Sequence, residues 1–381
     1  GIIKNTHNAN LEITSSEFSK NTITAEGNYL QGGIINNDGA SVNISEGSKF
    51  NNNIISADSY LQGGIINNND GIITINGAEF SKNRISASNF LQGGIIINDG
   101  NTINISNAKF IGNTVDSEGK LQGGIIINDA IGGKSTISIS NSEFKSNKVN
   151  SGDKLTGGII FNDCTNNGDY RINIDTVVFS QNEVNSEGSI YGAIINNSED
   201  HLITINSSSF EGNISVAKGE EALGGAIYNA GELKFTGINT FANNTLNGVA
   251  NDIYNLGTIT VADGTTSLGG GLTLADGTVT VTDSGTLDGT VTWENGSGEA
   301  SKGLIVIESD GTTASVTLNG GMGTGENASA SVDSVSAQDL NVTLDGIKAS
   351  NNVLATSDTG AYKNTGIVKD FTGERFRSGI F

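Results

Sequence analysis

A tetrapeptide, Phe-x-x-Asn, recurs along this chain at steps of 30 to 35 residues. Its phenylalanines are Phe18, Phe50, Phe80, Phe110, Phe144, Phe179, Phe210 and Phe241, and its asparagines are Asn21, Asn53, Asn83, Asn113, Asn147, Asn182, Asn213 and Asn244. A second motif, Gly-Gly-Ile-Ile, is interlaced with the first, starting at Gly32, Gly63, Gly93, Gly123 and Gly157. It then decays to Gly192-Ala193-Ile194-Ile195 and Gly224-Gly225-Ala226-Ile227. A fixed period of this size means stacked supersecondary units, each burying its apolar face only against its neighbours. About two-thirds of the molecule is therefore expected to be a solenoid.

One unit, Leu30 to Tyr60, shows which solenoid. Leu30–Asn36 is apolar and ends in β-branched residues, so it reads as a strand. Asn37-Asp38-Gly39 is a turn signal. Ala40–Ser45 alternates polar and apolar residues, which makes a second strand with one face inward. Ser48–Asn53 carries the Phe-x-x-Asn corner, Ile54-Ile55 makes a third short strand, and 56–59 is a polar loop. Three strands and three bends per coil, with no helical periodicity, predict an all-β parallel β-helix solenoid. Leucine-rich repeats, helical repeats and propeller blades each need a pattern or a period that this chain lacks.

Stacking at the strand spacing of ~4.8 Å puts every motif residue over its counterpart. The eight phenylalanines then form an interior stack, and the eight Phe-x-x-Asn asparagines form a ladder at one bend. A second ladder follows the Gly-Gly strand: Asn37, Asn68, Asn98, Asn128, Asn162, Asn197 and Asn229. The paired glycines mark a bend with close backbone approach, and no phosphate-loop pattern follows them. The chain has no proline, against about 19 at average usage. Interior strands paired on both sides leave proline almost no position, because it lacks an N–H.

Residues 1–256 carry the repeats. Over 257–348 the period changes to shorter strands separated by Asp-Gly and Gly-rich turns, which predicts a continued β-helix with smaller coils. Residues 349–381 fit no coil and hold Arg375 and Arg377; they are expected to cap, link or contact another subunit. Gly1 aligns with Gly33, so the chain is expected to be a piece of a longer polypeptide, with any leader peptide upstream.

The two interlaced motifs, together with Gly224–Asn229 and Asp252–Ile259, resemble the repeats of polymorphic outer membrane proteins and related autotransporter passengers over about residues 1–260. The resemblance implies a right-handed parallel β-helix on a bacterial cell surface, acting as an extracellular adhesin. The chain departs from that pattern in reading Gly-Gly-Ile-Ile rather than Gly-Gly-Ala-Ile, in its near lack of cysteine, and in carrying no translocator barrel.

Net charge is −21, which disfavours nucleic acid and anionic lipid as partners and favours cations or basic surfaces. No apolar run approaches the ~18 residues of a membrane span, so this segment is not expected to insert. Cys164 is alone and forms no intrachain disulfide. No cofactor is implied, with Ca²⁺ the one candidate ion. Its site would be a column formed by Asp38, Asp70, Asp99, Asp129 and Asp163, each in the turn after the strand asparagine. Neighbouring carboxylates ~4.8 Å apart repel by about 0.9 kcal/mol even in bulk water, so turn N–H groups, water or a cation must compensate. Asp is also an ordinary turn residue. Tyr29, Tyr60 and Phe90 precede Leu-Gln-Gly-Gly and form a candidate aromatic stripe for a sugar or a partner protein; packing under the loops is the plainer role. His7 and His201 lie far apart, the acids are dispersed, and no catalytic constellation stands out.

These features predict a non-enzymatic extracellular rod for attachment or surface display, with a host or cell-surface protein or glycan as partner. Copies of the chain stacked end to end into a filament are the second expectation. A polysaccharide-cleaving β-helix is the third and weakest.

Overall fold

The computed structural model describes residues 1–27, 29–130, 134–163 and 169–292, together with the backbone of Leu304–Glu308, Ser315–Asn319 and Asn341–Asp345. It is an all-β parallel solenoid of right-handed type with about eight turns. Cys164, Arg375, Arg377 and the whole of 349–381 lie outside the described residues.

Each coil up to Leu223 has five short strands rather than the three expected. In one coil they are Ile66–Asn69, Ile72–Asn76, Glu79–Ser81, Arg84–Ala87 and Phe90–Gln92. The first three stack into one large sheet, and the other two form separate sheets of nine and seven strands. Pairing is parallel and in register along the repeats: Phe80 sits between Phe50 and Phe110, and Ile73 between Val42 and Ile103. The extra divisions come from left-handed residues that break the chain direction. The third residue of every Phe-x-x-Asn is one of these, with φ between 52° and 62° at Lys20, Asn52, Lys82, Gly112, Ser146, Gln181, Gly212 and Asn243. The first glycine of each Gly-Gly is another, so the single strand expected over Leu30–Asn36 is split into Tyr29–Gln31 and Ile35–Asp38.

A left-handed non-glycine residue costs about 1–2 kcal/mol, and the Phe-x-x-Asn amide offsets that cost. Asn83 illustrates the pattern. Its Nδ2 donates to the Phe50 carbonyl at 2.8 Å and to Asn113 Oδ1 at 2.9 Å. Its Oδ1 accepts from the Asn53 backbone N–H at 3.1 Å and from Asn53 Nδ2 at 2.9 Å. Both lone pairs and both N–H bonds of a fully buried side chain are therefore used. The ladder runs one way from Asn21 to Asn244, presenting donors at its C-terminal end. Asp252, a group that only accepts when ionised, receives the last one at 2.9 Å and also accepts from the Gly270 N–H. The second ladder is longer than the sequence pattern indicates, running from Asn5 to Asn255.

Beside these amides the eight phenylalanine rings stack at centroid spacings of 4.4 to 5.0 Å, nearly parallel. Aromatic pairs left to themselves prefer offset or edge-on contact; the strand spacing imposes this geometry. Past residue 256 the same sheet continues with shorter coils. Thr258–Leu274 pairs in parallel with Glu232–Ala242 before it and with Thr278–Thr292 after it, Thr258 lying beside Thr278.

Phe144→Ala is expected to cost about 3–5 kcal/mol. Asn147→Leu is expected to cost at least as much, because it strands the two Asn113 donors and removes the amide bond to the Phe110 carbonyl at about 1–3 kcal/mol per buried group. Urea denaturation followed by circular dichroism measures both.

Candidate functional site

The double glycine shapes the outer surface as well as the core. At Gly63 (φ 57°) an added Cβ would lie 2.2 Å from the Ile66 carbonyl oxygen, so even a residue that tolerates this conformation is excluded. At Gly64 a Cβ would lie 2.3 Å from the Gly94 oxygen and 2.8 Å from Ile85 Cγ2. One glycine thus makes the bend and the other admits the next coil. The left-handed bend folds the Leu-Gln strand towards the outer face of the Gly-Gly strand, leaving a concave corner.

Residues on that outer face are buried although they point away from the main core. Ile97, Ile127 and Phe161 form a small apolar cluster of their own, each at most 3% exposed, flanked by buried Asn67 and Asn196. Beyond Asn196 the column continues with Tyr228 and Tyr254, whose rings stack at 5.8 Å. Burial, then Tyr254, Glu199 and Glu221, push the Tyr228 hydroxyl up to about 12, so it stays a proton donor.

A groove of about 980 Å³ follows this corner from Tyr60 to Tyr228. Tyr60, Phe90, Lys120, Lys154 and Tyr191 lie along its Leu-Gln side, and Asp163, Ser198 and Glu199 along its Gly-Gly side. Lys154 Nζ sits 4.3 Å above the Tyr191 ring, and the Tyr191 hydroxyl bonds Glu221.

The expected aromatic stripe forms in register: Tyr29 lies beside Tyr60 and Tyr60 beside Phe90, with Lys120 next. Tyr60 and Phe90 meet edge to face at 6.3 Å. The rings lie on the outer face, with Tyr29 and Tyr60 exposed and Phe90 partly so. Tyr60 and Phe90 line the groove, whereas Tyr29 lies beyond its end and bonds Gln62.

The acidic column forms only in part. Asp70 is not in it: the register puts Asn69 between Asp38 and Asp99, and Asp70 is the left-handed turn residue that follows (φ 53°). The extra asparagine of that repeat causes the shift, and Asn69 Nδ2 donates to Asp38 Oδ1 at 3.1 Å, separating two carboxylates. Further along, Asp129 does stack on Asp163. Burial pushes the Asp129 carboxyl up to about 6, Asp163 and Asp99 add to the rise, and the amide of Gln92, 2.9 Å away, opposes it. A proton thus relieves repulsion at this point of the column. Among the described residues, no three His, Cys, Asp or Glu side chains converge as a metal-ligand group.

A third ladder was not anticipated. Gln62 donates to Gln92 at 2.6 Å and Gln92 to Gln122 at 3.0 Å, along the strand that walls the corner. Its trace in the sequence is the glutamine before each early Gly-Gly, at 31, 62, 92 and 122. Comparison with protein-family models, curated proteins and solved structures gives no match, so the functional reading rests on this geometry.

With its carboxyl raised from an ordinary 3.8, folded Asp129 holds a proton that the unfolded chain has released. Its contribution to stability therefore falls as pH rises from about 4 to about 6 and stays lost above that. Asp129→Asn is expected to stabilise the protein at pH 7.5 by on the order of 2 kcal/mol and to leave it unchanged at pH 4. Melting temperatures of the two proteins at both pH values measure this.

Proposed function

We propose that this chain is the rod of an extracellular bacterial surface protein, of the kind the autotransporter passenger repeats resemble, and that it works by attachment or display rather than by catalysis. One observation carries the reading: repetition and variation lie on opposite sides of the same strands. Inward positions keep aliphatic residues, Phe or Asn from coil to coil with few exceptions. The exposed column of the Ile-Ile strand instead reads Thr22, Ile54, Arg84, Thr114, Lys148, Glu183 and Ile214 in register. The interior is a uniform support, and its outer columns hold unlike side chains at fixed intervals of ~4.8 Å. Solenoids use such surfaces for extended contacts. The dominance of acid over base, −21 overall, suits a partner that is neutral or basic.

Beads coated with the purified chain are expected to attach saturably to cultured epithelial or bacterial cells, in competition with the soluble chain. Attachment no greater than that of beads carrying an unrelated protein of similar net charge would overturn the reading.

A further inference from the structure

We propose that the groove beside the double-glycine bend binds a linear, uncharged polysaccharide lying parallel to the solenoid axis. The assignment rests on the attachment reading above and names its ligand class. The groove passes the coils beginning at Gly63, Gly93, Gly123, Gly157, Gly192 and Gly224, five steps of ~4.8 Å or roughly 24 Å. Each step is close to the length of one sugar residue in an extended chain. A compact metabolite would leave most of such a trough empty; a polymer with a matching repeat fills it.

The lining suits a sugar ring, which has apolar C–H faces and a rim of hydroxyls. Tyr60, Phe90 and Tyr191 line one wall and offer flat apolar contact above a floor that includes the buried Phe161. Gln122, Asp163 and Glu199 offer the acceptors and the amide donor that hydroxyls need. An extended peptide finds less here. Peptides that add to a sheet need a free strand edge, and the backbone flanking this corner is already bonded coil to coil, as from the Gly123 N–H to Thr156 and the Gly157 N–H to Tyr191 at 3.0 Å each.

Charge excludes acidic polymers. The groove sets Asp153, Asp163 and Glu199 against Lys120 and Lys154, and Lys154 is already held over the Tyr191 ring. With the chain at −21, a polyanion meets repulsion along the whole rod.

Calorimetric titration of the full chain with cellohexaose, xylohexaose, mannohexaose and chitohexaose tests the assignment, with polygalacturonate as the acidic control. At least one neutral hexasaccharide is expected to bind at millimolar concentration or below, more tightly than its disaccharide. Tyr60→Ala/Phe90→Ala/Tyr191→Ala is expected to weaken binding at least tenfold with an unchanged melting temperature, while Tyr191→Phe binds like the parent. Three results would overturn the assignment: no heat with any neutral hexasaccharide, binding to polygalacturonate alone, or undiminished binding by the folded triple variant. The bead experiment separates this proposal from the reading beneath it. Beads carrying the triple variant that attach as the parent does, or attachment that survives enzymatic removal of cell-surface glycans, would point to a protein partner; the glycan assignment would fall and attachment would stand. Hexasaccharide binding without bead attachment would have the opposite meaning.

Discussion

A coiled strand that turns a corner leaves backbone N–H and C=O groups that the sheet ladder does not reach. Inside a solenoid no bulk water reaches them either, and each unpaired group costs about 1–3 kcal/mol. In this molecule one buried side chain per coil settles that cost at the Phe-x-x-Asn corner. The asparagine amide spans the gap between coils, takes up a phenylalanine carbonyl and a backbone N–H, and passes its remaining bond to the next asparagine. The left-handed residue before it, the stacked rings beside it and the register of three sheets all assume that this amide is in place. Its one-way polarity also explains why the column ends on Asp252 rather than on another asparagine.

The groove follows from a different corner of the same coil. A solenoid whose bends all turned outward would be convex and offer only exposed columns. The left-handed glycine instead folds the wall inward, so side chains on the outer face of the Gly-Gly strand become a buried floor. The core adjusts where that motif decays. Each second glycine from Gly33 to Gly158 lies against a β-branched side chain, such as Val184 for Gly158. Where the glycine becomes Ala193, the register puts Ser215 in place of that valine, and the smaller side chain makes room for a methyl group.

Much of this was legible from residue order. Eight copies of Phe-x-x-Asn at nearly equal steps specify stacking, and stacking specifies the phenylalanine column and both asparagine ladders residue by residue. The aromatic stripe was legible for the same reason, since Tyr29, Tyr60 and Phe90 hold the same place in successive repeats. The acidic column was less so. Asp70 looks equivalent to Asp38 and Asp99 when counted from the turn, but pairing is counted from the strand, and one extra asparagine moves it into the bend. Five strands per coil were read as three because the Phe-x-x-Asn corner, read as a bend, holds a three-residue strand of its own, Lys49–Asn51 in one coil, and because the Gly-Gly pair divides a segment read as one strand.

The sequence by itself determined the architecture, because a repeat that buries its apolar face only against copies of itself has one way to do so. Tertiary structure decided where the surface is concave. Ile97, Ile127 and Phe161 alternate with inward residues and so read as outward, solvent-facing positions. Only the direction of the bend at the preceding glycine, set by one backbone dihedral and by the next coil's approach, buries them as a second apolar cluster and puts Phe161 on the floor of a groove.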